Sequence, residues 1–199
     1  MTTPAHARRA IAWPLATLAA GAALSIPPLR SLIEQSMAWH MLVQMPLLVL
    51  GGWLSMRCLA AFRPVGTLER WNRYGLTGFI AAQAILAFWM LPLSIDRAVV
   101  LPWFDLLKVA SLFACGAMLR HSIERSPALI QVFFVGYAVA MMFSLGAYFA
   151  ATDLRLCNAY SLESQMVSGQ GLAILAMLLG ALWFVGTIRA AQASSRRFG

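Results

Sequence analysis

Residues 127–151 read Pro127-Ala-Leu-Ile-Gln-Val-Phe-Phe-Val-Gly-Tyr-Ala-Val-Ala-Met-Met-Phe-Ser-Leu-Gly-Ala-Tyr-Phe-Ala-Ala151, with no charged side chain. A soluble fold has no use for so long an apolar run. A bilayer does, because about 20 apolar residues in a helix cross the hydrocarbon core. The run shows none of the alternation of a barrel strand, so it is read as a helix that satisfies its own backbone in lipid.

Five further segments of the same kind flank it. The spans are expected at about 10–28, 37–61, 75–95, 98–119, 127–151 and 168–190. The fold class is therefore all-α: one polytopic membrane domain over 1–199, a bundle of about six transmembrane helices. Composition agrees, with 61% hydrophobic and 11% charged residues. The N-terminal segment, with Arg8 and Arg9 before an apolar stretch, also has the outline of a signal peptide. It is read as a retained helix.

The arginines orient the bundle. Arg8, Arg9, Arg57, Arg63, Arg70, Arg73, Arg120, Arg125, Arg189, Arg196 and Arg197 fall on one side. Only Arg30, Arg97 and Arg155 fall on the other, which also carries Glu34, Asp96, Asp153 and Glu163. Short basic loops stay cytoplasmic, so both termini are expected inside, in a bacterial-type inner membrane. The net charge of +8 is this loop bias and not a nucleic-acid footprint, since no basic stripe with interleaved aromatics occurs. Cys58, Cys115 and Cys157 are too scattered for a disulfide framework.

Function is sought among polar groups inside the spans, where each is costly. The second span begins Ser36-Met37-Ala38-Trp39-His40-Met41-Leu42-Val43-Gln44-Met45-Pro46. At helical spacing Met37, His40, Met41, Gln44 and Met45 share an arc of roughly 140°. An imidazole with soft thioethers suits Cu(I), and zinc or magnesium would want thiolate or carboxylate. The same stripe is also ordinary core packing. The candidate metal ligands are thus His40, Met37, Met41 and Met45, with Cys157 or Met166 as a further ligand from the same side.

The fourth span places Asp105 and Lys108 three residues apart on one face, deep enough that they are expected to pair with each other or with polar neighbours, either as an ion pair that fixes helix orientation or as a proton or ligand site. His40 and Asp105 fall at similar depth, so a shared outer-half cluster is expected, with Gln44, Gln165 and Gln170 facing it. His121 is read as a solvated loop residue on the opposite side, which disfavours a bis-histidine haem. Pro46 is expected to disturb the helix below His40. No enzyme motif occurs, so no catalytic activity is expected.

Met37-x-x-His40-Met41-Leu42, followed by Pro46-Leu47-Leu48-Val49-Leu50-Gly51, resembles a signature of CtaG-type cytochrome c oxidase assembly factors. Ser164-Gln165-Met166-Val167-Ser168-Gly169 is similar to the family's D-Q-x-x-x-G. The family's first histidine corresponds to Ser36 and its aspartate to Ser164, and the family has more spans. The resemblance implies a membrane protein assisting assembly of a copper-containing respiratory oxidase, with copper handling at the outer face and the oxidase as partner. The competing reading is a non-catalytic structural subunit of a respiratory or other membrane complex. A small transporter is disfavoured by the absence of repeats.

Overall fold

The computed structural model describes residues 35–62 and 71–198, with isolated positions before them. Every regular element described is helical. The expected first span, 10–28, lies outside these continuous stretches.

Helix α1 runs from Met37 to Phe62 in three pieces: α-helix Met37–Trp39, a π turn His40–Gln44, and α-helix Met45–Phe62. Pro46 explains the middle piece. It has no N–H to offer the carbonyl one turn back, and its ring needs room there. The turn widens, and the Met45 N–H bonds to the His40 carbonyl, five residues back.

Helix α2, Leu76–Trp89, stops short of the expected 75–95 span. Leu91 is extended (φ −73°, ψ 128°) ahead of Pro92, and a new short helix α3, Pro92–Val100, leaves at 73°. The device repeats at once. Leu101 is extended (φ −110°, ψ 113°) ahead of Pro102, which opens α4, Pro102–Ile123. The residue before proline is pushed out of helical geometry, so each Leu-Pro step sets a boundary that hydropathy overlooks. The expected 98–119 span therefore begins four residues late. Helix α5, Ala128–Ala151, matches expectation, and α6, Leu162–Phe198, starts earlier and ends later than the expected 168–190.

Four described helices are long and apolar enough to cross a membrane, or five if the bent α2–α3 pair is one span. Large apolar side chains such as Leu106, Leu129, Phe133 and Leu182 stand exposed on the outside of the bundle, as lipid contact allows. Exposed Trp39 and Trp103 lie at one end of the bundle, and Trp71 and Tyr74 at the other. Amphipathic rings favour those two interfacial levels.

The core lies where α1 packs along α4, with α2 on the other side of α4 and α5 paired with α6. The α1–α4 crossing depends on Gly52 and Gly116. A Cβ on Gly52 would run into the Phe113 carbonyl oxygen, and one on Gly116 into that of Val49. Small residues let backbones approach this closely in lipid. That close approach brings the His40 face of α1 onto the Lys108 face of α4.

Candidate functional site: a buried ionic network

His40 is the hub. It is fully buried, held in the π turn, and touched from two sides. Lys108 Nζ from α4 lies 3.2 Å from its Nε2, and Tyr160 Oη lies 3.0 Å from its Nδ1. The same ammonium donates to Gln44 Oε1 at 3.1 Å. It also lies 2.6 Å from Asp105 Oδ1, one turn away on α4. That last contact is ionic and not directional, since Oδ1 meets no donor at hydrogen-bonding geometry among the described residues.

The proton positions follow from the partners. Lys108 beside a carboxylate is an ammonium and can only donate. His40 Nε2 therefore accepts, Nδ1 carries the ring proton, and that proton goes to Tyr160 Oη. Asp105 and Lys108 are opposite charges in direct contact. Paired charges and satisfied donors make such a network tolerable in a low-dielectric interior.

Tyr160 reaches His40 because the 152–161 segment is braced against the bundle. Asp96 on α3 accepts the Asn158 and Ala159 N–H groups at 2.9 and 3.1 Å. Arg155 donates to the Tyr160 and Asn158 carbonyls at 2.8 and 2.7 Å. Gln165 accepts the Leu156 N–H at 2.9 Å and donates to the Leu154 carbonyl at 3.1 Å. The short α3 made by the two Leu-Pro steps is thus the platform for this segment.

The structure joins Asp105, Lys108, His40 and Gln44, as the sequence suggested. Met37, Met41 and Met45 are buried in one apolar core with Cys157, Leu48, Tyr160 and Phe149. Three further candidates stand apart from the network. Gln165 clamps the loop and makes no bond to the network, Gln170 is exposed, and Met166 turns outward at 39% exposure. His121 is no solvated loop residue. It is buried in the last turn of α4, with Nδ1 2.8 Å from Asn72 Nδ2. Tyr160 was not singled out in the sequence, because nothing local marks a tyrosine that pairs with a histidine 120 residues away.

The fit to a metal can be judged from these contacts. Both ring nitrogens of His40 are engaged, one of them by an ammonium. In this arrangement His40 has no lone pair to offer Cu(I), and a second cation beside Lys108 would be repelled. Cys157 is a poor substitute. Burial, and then the Asp96 carboxylate, push its thiol up to about 12, so it is protonated near neutrality. The thioethers remain chemically suited to Cu(I). Among the described residues, no three His, Cys, Asp or Glu side chains group as metal ligands.

The two patches that carry the family resemblance meet in space. The Met37 N–H donates to Ser164 Oγ at 2.7 Å, and the Ser36 and Ser164 hydroxyl oxygens lie 3.4 Å apart. No protein-family model, no curated protein and no solved structure matches this chain.

Proposed function

We propose that the chain is a non-catalytic accessory protein of the bacterial-type inner membrane, with both termini cytoplasmic, that assists assembly of a copper-containing respiratory oxidase. The observation carrying this reading is the contact between Ser36-Met37 and Ser164. Two motif patches more than 120 residues apart are a single packed unit, which is what a shared functional face requires. The arginine asymmetry supports the orientation, which puts that face on the outer side.

In this reading the His40 network is the rigid core behind the face. It ties α1, α4 and the 152–161 segment together at one point. The partner binds at the outer rim, and lipid covers the exposed apolar sides. The second reading is a non-catalytic structural transmembrane subunit of a respiratory or other membrane complex, favoured by the packing of Met37, Met41 and Met45 in the apolar core.

The test is to remove the protein from its host and measure the oxidase in the membranes. Haem-containing oxidase that lacks copper, or a fall in assembled oxidase, with recovery on restoring the wild-type chain, is the expected result. Unchanged oxidase content and copper loading would reject the assembly role and leave only a structural membrane subunit of another complex.

A further inference from the structure

We infer that Lys108 is a tethered cation filling a ligand set that otherwise binds a divalent transition-metal ion, so that the native chain keeps metal away from His40 by occupying its place. Three donors from two helices converge on Nζ: His40 Nε2 at 3.2 Å, Gln44 Oε1 at 3.1 Å and Asp105 Oδ1 at 2.6 Å. A nitrogen with two oxygens is the donor set of Zn²⁺ or Co²⁺, not of Cu(I).

Several features of a metal site are already in place. The tautomer of His40 is that of a ligand: Nδ1–H is fixed by the Tyr160 oxygen and the Nε2 lone pair points at the cation. Metal-bound histidines are oriented by a second hydrogen bond of this kind. His40 and Gln44 are the first and last residues of the π turn, so two donors are preset by one piece of backbone. Asp105 supplies the negative charge.

Coordination bonds of about 2.0–2.2 Å are shorter than these contacts. Deleting the lysine side chain frees its four-carbon stem, leaving room for the donors to close in and for a water as fourth ligand. It also leaves Asp105 as an uncompensated buried anion, which a cation would relieve.

This inference rests on the network geometry and not on the oxidase reading, so either can fail alone. The experiment uses the full chain in detergent, as wild type, Lys108→Ala, Lys108→Ser and Lys108→Ala/His40→Ala. Each is equilibrated with Co²⁺, then with Zn²⁺ as competitor, and read by the Co²⁺ visible spectrum, bound metal and thermal midpoint. Wild type should take up no ion at this point. Lys108→Ala should bind about one Co²⁺ per chain with a low-symmetry spectrum, yield it to Zn²⁺, and gain thermal stability on binding. Adding His40→Ala should weaken binding by about tenfold or more, since losing a ligand costs at least what losing its orienting partner does.

Co²⁺ bound equally by wild type, or bound by Lys108→Ala regardless of His40, would overturn the inference. So would folded Lys108→Ala that binds nothing. Failure of both single variants to fold even with metal present would also count against it, because an ion in the site restores the missing charge.

Discussion

The two ends of α4 solve the same problem with different chemistry. At its start, Asp105 and Lys108 meet His40, Gln44 and Tyr160 in a network built on an ion pair. At its far end, Asn72 binds His121 Nδ1 at 2.8 Å, Ser122 Oγ at 3.0 Å and the Gly78 N–H at 3.0 Å. The three bonds of Asn72 are dipolar ones, to a ring nitrogen, a hydroxyl and a backbone N–H. Both tie α4 to a neighbour, but only the first has a member whose loss leaves a charge stranded. Dipolar bonds fix one end of α4 and an ion pair the other, so the two ends should respond differently to the loss of one partner.

The sharpest way to break the comparison is Asp105→Ala. It leaves the Lys108 ammonium buried without its counter-ion and should cost about 3–5 kcal/mol in a detergent unfolding assay. Asp105→Ala with Lys108→Ala should be more stable than Asp105→Ala alone. If the single and double variants melt alike, the ion pair is not what sets this end apart.

At the far end, Asn72→Ala should cost about 1–3 kcal/mol, since it removes three bonds and leaves buried partners behind. Here no second substitution should rescue the first. A rescue by Ser122→Ala as large as that at the charged end would erase the distinction.

Tyr160→Phe probes one bond of the charged network without touching its charges, and should cost about 0.5–1.5 kcal/mol. A loss as large as that of Asp105→Ala would mean that the loop contact, and not the ion pair, dominates. The smallest effect is expected for Asp96→Asn, which weakens two exposed bonds to the 152–161 segment. It should leave the melting temperature nearly unchanged while raising protease cleavage within that segment; unchanged cleavage would mean that Arg155 and Gln165 hold the segment unaided.

Much of the bundle was legible because hydropathy is a one-dimensional signal. The run 127–151 appears as α5, Ala128–Ala151, nearly residue for residue. Boundaries set by stereochemistry were less visible. The steps Leu91-Pro92 and Leu101-Pro102 were both present in the sequence, yet their flanks are apolar and hydropathy ran through them. Of the site, the pairing of Asp105 with Lys108 could be foreseen, because a lone charge at that depth is too costly. That Lys108 would also take His40 Nε2 could not. Spacing along α1 orders residues on a face but does not say which group of α4 will stand opposite. The methionine stripe and the family resemblance led toward copper, and the opposing ammonium is known only from packing. His121 misled for the converse reason: a histidine between charged residues reads as solvent-facing until Asn72 folds against it.

The central claim is that Lys108 and Tyr160, and not a metal ion, hold His40 in the native protein. Copper content of the full chain, purified in detergent under reducing conditions and compared between wild type and His40→Ala, tests it most directly. The account predicts well under one copper per chain in wild type, with no further loss in His40→Ala. About one copper per wild-type chain, lost when His40 is replaced, would contradict it and restore His40, Met37, Met41 and Met45 as a copper site.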